Sequence, residues 1–221
     1  MSEDHDDSEL EFATRALHAG QDPDPATGAT VVPVYQTTTY TQQGIGEHRG
    51  DEYARGRYPT RVALETCLAS LEGARFGLAY ASGMAAITGA MHMVRAGDHV
   101  VVADDLYGGT YRLFSEVLPR QGVEFSWVDA TRAEEVDKAC RPGTKVVWIE
   151  SPTNPMLRLV DVAACAEIAH RHGARLVIDN TFATPYLQRP LALGADVVVH
   201  STTKWISGHS DVLGGVERTI D

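Results

Sequence analysis

The sequence predicts an α/β protein: a mostly parallel sheet with helices on both faces, preceded by an extended N-terminal arm. Two observations carry this expectation. Short unbroken runs of Val and Ile recur along the second half of the chain, with helical stretches between them. Strands of a parallel sheet have that continuous apolar character because both of their faces are covered. Polar residues follow these runs, at the place where an open α/β sheet binds its ligands.

The elements follow in order. Residues 12–60 are rich in Thr, Gly, Pro and Tyr and show no sustained helical period. They read as the arm, with turns at Asp22–Pro25 and Gly44–Gly46, and an irregular segment this long suits a partner surface. Residues 61–221 read as the α/β domain. Arg61–Glu72 has apolar residues at helical spacing and is ended by Gly73. Ser82–Val94 reads as a second, largely buried helix. Strands are expected at Val100–Ala103, Val123–Val128, Val146–Ile149, Leu176–Ile178 and Val197–Val199. Helices are expected at Thr110–Gln121, Arg132–Cys140 and Val162–His172.

Composition narrows the function classes. The 221 residues carry a net charge of −11, which argues against nucleic acid and anionic membrane as partners. With 43% apolar and 22% charged residues, the chain is ordinary for a globular protein, so wholesale disorder is excluded. Met1–Glu11 holds six acids and no Lys or Arg, the composition of a solvated acidic tail and the opposite of a targeting signal. No apolar run approaches the ~18 residues of a membrane span. Cys67, Cys140 and Cys165 lie far apart, which fits neither a disulfide framework nor a zinc ribbon. They read as buried small apolar residues in a reducing, cytoplasmic setting. His170-x-His172 is not a metal pair, because i and i+2 residues diverge on a helix. His200 and His209 flank a lysine loop and suit a supporting role.

The residues after the strands converge on one chemistry. They are Asp104–Thr110, Glu150–Pro155, Asp179–Thr181 and His200–Lys204. Only three lysines exist (Lys138, Lys145, Lys204), and Lys204 alone sits in a Ser/Thr cluster at a strand end, one βα unit after an Asp. Pyridoxal phosphate needs a lysine amine, a partner for its pyridine nitrogen and a phosphate cup. Lys204 supplies the amine and Asp179 the partner. Ser201 and Thr203 can aim hydroxyls at a phosphate, and Ser82-Gly83-Met84 opens a helix, whose free N–H groups favour an anion. Tyr107 can stack on the ring. Taken singly, each has a plainer reading as a cap, a turn or a surface residue; their coincidence favours the cofactor.

Six segments in one order also resemble a known family, the Cys/Met-metabolism pyridoxal-phosphate enzymes that include cystathionine γ-synthase and γ-lyase. They are Tyr53-Ala54-Arg55 with Pro59-Thr60-Arg61, Ala81–Ala86, Asp105–Arg112, Glu150–Pro155, Asp179–Phe182, and Ser201–Lys204 with Gly208–Asp211. The resemblance runs from Ala13 to Gly215. It implies the large domain of the fold type I transferases. It implies that Lys204 bonds the cofactor and then moves protons, and that Asp179 pairs with the ring nitrogen. Gly83, Met84, Ser201 and Thr203 would hold the phosphate. Tyr107 would stack and act as acid or base, and Asn154 would contact the ring face. Tyr53 and Arg55 would reach the phosphate of a neighbouring subunit, so a homo-oligomer, a dimer of dimers, is implied.

The chain departs from the family in two places. Tyr58 stands where the family usually has Asn. The chain stops at Asp221, where family members continue into a C-terminal domain and the arginine that binds the substrate carboxylate. The tail Glu217–Asp221 also looks more charged than the strand expected there. A truncated chain is therefore expected. The implied reaction is transsulfuration at the γ-carbon of a sulfur amino acid. Elimination of the cystathionine γ-lyase type is preferred, with γ-synthase replacement as the alternative, and Gly109 disfavours a methionine γ-lyase. A non-catalytic remnant is the competing class. A doubly wound nucleotide-binding domain ranks last, since Gly44-x-Gly46-x-x-x-Gly50 misses the dinucleotide fingerprint.

Overall fold

A computed structural model describes residues 10–220. The acidic stretch before Leu10, and Asp221, lie outside the described residues. Two compact units divide at residues 71 and 72.

The first unit holds helices α1 (Phe12–His18) and α2 (Pro59–Glu72, whose last residue falls in the second unit) with a long irregular segment between them. The helix α1 corrects the expectation of a wholly extended arm. Seven residues are too few for a periodic signal, and tertiary anchors hold them. Arg15 is buried and donates to the Ser70 carbonyl at 2.7 Å. Gly20, at φ +71°, ends the helix where a Cβ would lie 2.7 Å from that of Thr66. Pro59 opens α2, where its missing N–H costs nothing. In the arm, Asp24 accepts from the N–H groups of Ala26 and Thr27 and from the hydroxyls of Thr27 and Tyr35, fixing the turn after Pro25.

The second unit is a seven-stranded sheet in the order β1-β7-β6-β5-β4-β2-β3. Its strands are β1 (Phe76–Tyr80), β2 (His99–Ala103), β3 (Glu124–Val128), β4 (Thr144–Glu150), β5 (Arg175–Asp179), β6 (Val197–His200) and β7 (Gly215–Thr219). Strands β6, β5, β4, β2 and β3 run parallel, as the Val/Ile runs predict, and β7 is antiparallel to both β1 and β6. Alternation divides the core. Val101, Val147, Ile149, Leu176, Ile178 and Val198 pack with α5 (Ala133–Ala139) and α6 (Val162–Arg171). Val100, Val102, Val146, Trp148, Val177 and Val199 pack with α3 (Gly83–Ala90) and with Phe114. Helices therefore cover both faces.

The expected helix 110–121 takes three forms: α4 (Gly108–Arg112), a π turn (Leu113–Val117) and a 3-10 turn (Leu118–Gln121). Pro119 has no N–H to give to an i−4 carbonyl and its ring crowds that carbonyl, so the α-helical ladder cannot continue through it. A four-residue helix, α7 (Thr184–Leu187), follows β5. Cys140 and Cys165 are buried, and burial raises their thiols to about 11 and about 12; Cys67 is only partly buried. His170 and His172 pair with different acids, Asp196 at 3.0 Å and Asp137 at 2.7 Å. No helix among the described residues is long and apolar enough to cross a membrane.

The charged tail is a strand after all, and its charges have partners. Glu217 accepts from the Tyr80 hydroxyl at 3.0 Å across the β1–β7 pair. Arg218 is fully buried and donates to Glu72 at 3.0 Å. His200, also buried, lies 3.4 Å from the same carboxylate oxygen, and burial together with Arg218 lowers its pKa. Removing one member of such a cluster strands a buried charge. Arg218→Met is expected to cost about 3–5 kcal/mol and to lower the melting temperature by roughly 10 °C. Glu72→Met in the same chain should recover much of that loss, which thermal unfolding of the single and double variants will show.

Candidate active site

The carboxyl ends of β1, β4, β5 and β6, with the loop after β2, surround a cavity of about 750 Å³. Lys204, Asp179, Gly83, Met84, Ser201, Thr203, Tyr107 and Asn154 all line it. The remaining two expected residues, Tyr53 and Arg55, belong to the first unit. Both are exposed there, with the Arg55 guanidinium 4.9 Å above the Tyr53 ring.

Asp179 ends β5 and is 6% exposed. Its Oδ1 accepts from the Thr181 N–H at 3.0 Å and the Thr181 hydroxyl at 2.6 Å. The same Thr181 oxygen accepts from the Ser201 N–H at 2.8 Å, which ties the end of β5 to the end of β6. Burial raises the Asp179 carboxyl although the Thr181 hydrogen bonds oppose it.

The helix α3 starts at the carboxyl end of β1. Ser82 caps it by accepting from the Ala85 N–H at 3.1 Å. Gly83 is required by space: a Cβ there would lie 2.6 Å from the Ser201 Cβ and 2.9 Å from its hydroxyl. Ser201 and the helix start thus form a cradle that only a glycine leaves open. Thr203, expected at the phosphate, also meets the returning chain. Its hydroxyl donates to the Gly214 carbonyl at 3.2 Å and accepts the Gly214 N–H at 3.0 Å, so it braces the returning chain. Gly214 and Gly215 let that chain pass against Thr202 and Ser82, where any Cβ would collide.

Lys204 lies in the turn after β6, with its N–H on the Ser201 carbonyl at 3.2 Å. It is exposed in the single chain. Asn154 sits in a loop held by Thr153, whose hydroxyl donates to Asp105 at 2.5 Å, and by Ser151, which accepts the Val160 N–H at 3.1 Å. Tyr107 precedes α4. Its ring lies over Gly109, where a Cβ would be 2.5 Å from Tyr107 Cε1 and 2.8 Å from Met84 Sδ.

Sequence reasoning left three residues without roles. Thr181 is the hydroxyl between Asp179 and Ser201. Gly214 lets the chain return past the lysine turn. Glu150 ends β4 and accepts the Tyr107 N–H at 2.8 Å. Its place directly after a Val/Ile run was the available signal. Burial and the neighbouring Asp179 push its carboxyl up to about 8. His200 points to the opposite face of the sheet from Asp179, among the partners of Val198.

Comparison with known proteins defines the class. Residues 13–219 match the Cys/Met metabolism PLP-dependent enzyme family, and the chain belongs to that family. It is 55% identical over 208 residues to a probable cystathionine gamma-synthase of Herpetosiphon aurantiacus, covering 94% of this chain and 65% of that protein. It is 52% identical over 206 residues to a cystathionine gamma-lyase of Bacillus subtilis, covering 93% of this chain and 54% of that one. Matches of similar identity include a protein named cystathionine beta-lyase. The crystal structure of metB from Corynebacterium glutamicum superposes with a TM-score of 0.96 at 48% identity, covering 98% of this chain and 57% of that one. The chain thus spans between half and two thirds of the length of these proteins.

The two buried carboxyls make ligand-free stability depend on pH. The folded chain keeps Glu150 neutral up to about 8, whereas an unfolded chain ionises it near 4.5. Between those values the folded form binds more protons, so stability falls as pH rises through the window. Glu150→Gln removes the Glu150 share of that slope. The ligand-free variant should match wild type near pH 4.5 and exceed it by about 4 kcal/mol at pH 8, as denaturant unfolding at the two pH values will measure.

Proposed function

We propose that residues 61–221 are the cofactor-binding domain of a PLP-dependent enzyme that cleaves the γ-carbon–sulfur bond of cystathionine, with residues 1–60 as an arm that covers a neighbouring copy. The observation that carries this reading is the convergence on one cavity of Lys204, buried Asp179 and the Gly83–Ser201 cradle. These residues fit pyridoxal phosphate. Lys204 would hold its aldehyde carbon through Nζ, Asp179 its ring nitrogen, and Gly83, Met84, Ser201 and Thr203 its phosphate.

Bound there, the cofactor supplies an electron sink for a substrate carbanion. The chain supplies the rest. Asp179 keeps a proton on the ring nitrogen, since a buried carboxylate gains most from a cation at contact. Lys204 Nζ would be the base for the α-proton and then for a proton on Cβ, so that the sulfur on Cγ can depart. The Tyr107 ring covers one face of the cavity and its hydroxyl is a second proton carrier. Asn154 contacts the ring. Tyr53 and Arg55 reach the phosphate of a second copy, which makes the working form a homo-oligomer, a dimer of dimers in the cytoplasm.

A second reading is γ-replacement, with cysteine attacking the same γ-carbon after an O-acyl group has left. The 55% identity to a probable γ-synthase favours it. A visible absorption spectrum with pyridoxal phosphate tests the common part. Wild type should show a band that Lys204→Ala lacks. Assays for 2-oxo acid release from cystathionine, and for cystathionine formation from an O-acylhomoserine and cysteine, then separate elimination from replacement. A chain that shows the band and neither activity binds its cofactor without turnover.

A further inference from the structure

Glu150 has no part in the roles above, yet its position is costly. It ends β4, Asp179 ends β5, and the two are partners in the register of adjacent parallel strands. Alternation turns both side chains to the face that carries Trp148, Val177 and α3. Glu150 is 4% exposed. A second buried acid beside the first weakens a core unless its oxygen atoms are needed.

One oxygen is needed at a specific place. Tyr107 stands immediately before α4, at the start of a helix, where backbone N–H groups have no intrahelical partner. Its N–H donates to Glu150 Oε2 from 43 residues away in the chain. At the other end of the residue, the ring converges with Met84 on the space above Gly109, which admits no Cβ. The residue is therefore held at its backbone by the end of β4, and its ring lies against Gly109.

We propose that Glu150 is a positioning residue for cofactor binding: it hangs Tyr107 from the end of β4 so that the ring lies against the cavity beside Asp179. The inference rests on the reading of the cavity as a pyridoxal phosphate site. The role requires an acceptor oxygen and no charge. Glu150→Gln, whose amide oxygen can accept the same N–H, therefore keeps the role, and Glu150→Ala loses it.

The test is a titration of the purified chain with pyridoxal phosphate, following the visible band and the dissociation constant, with far-ultraviolet circular dichroism as the check on folding. Glu150→Gln is expected to bind within about twofold of wild type and Glu150→Ala about tenfold more weakly. In a Tyr107→Ala background the same Glu150→Ala change should have no further effect, because its action passes through Tyr107. Glu150→Met, of similar length and without an acceptor, replaces the alanine variant if that one does not fold. The proposal is overturned if Gln binds as weakly as Ala, if Ala binds as well as wild type, or if the Ala effect persists without Tyr107. A wild-type chain that shows no band overturns the reading of the cavity, and the role of Glu150 with it.

Discussion

The period of two along a strand organises this molecule. Four of the five parallel strands, β2, β4, β5 and β6, are buried on both faces, so each residue at a carboxyl end has its side chosen by its place in the alternation. Asp179 and Glu150 fall on the α3 side, next to the helix start that begins at Gly83. His200, one residue beyond Val199 on β6, falls on the other. A slip of one residue in any of these strands would send the acids to the wrong face and leave the cavity apolar. The alternating core thus sets which polar groups can meet, before any hydrogen bond forms between them.

The sheet separates two groups of buried ionisable residues. On one side Glu72, Arg218 and His200 form a cluster with its own cation. On the other side Asp179 and Glu150 are buried acids that accept from backbone N–H groups and from the Thr181 hydroxyl. The first arrangement is complete within the second unit and reads as architecture. The second has a polarity that a positively charged ligand atom would complete. The contrast locates the chemistry more sharply than the size of the cavity does.

Much of this was legible in the sequence, for physical reasons. The parallel strands declare themselves because burial on both faces demands unbroken Val and Ile. Lys204 stood out through the scarcity of lysine, and Asp179 through its place after a run. The pair β1 and β7 was hidden. Phe-Gly-Leu-Ala-Tyr is half exposed, and Gly-Val-Glu-Arg-Thr carries charges whose partners, Tyr80 and Glu72, lie far away in sequence. The break in the helix after Arg112 could have been read from Pro119. Glu150 was visible as a strand-end acid, but its work depends on a backbone N–H, which every residue except proline carries and no motif can mark. The bond from Thr203 to Gly214 is similarly silent, since it depends on where the chain returns.

The position of β1 has a consequence for how the molecule comes into being. In the sheet β1 touches only β7, so residues 76–80 reach the remaining strands through residues 215–219. The helix that opens at Gly83 grows directly from β1, and it contributes one wall of the cavity. On a ribosome, the parallel strands from β2 to β6 can assemble as they emerge, because each pairs with a near neighbour in synthesis. The wall at Gly83 is made early but must wait, unattached at its sheet edge, until Gly215–Thr219 arrives. A nascent chain shorter than this has the lysine turn and the buried aspartate but no closed cradle. Closure of this wall is therefore a late event in the birth of this protein, timed by one antiparallel strand.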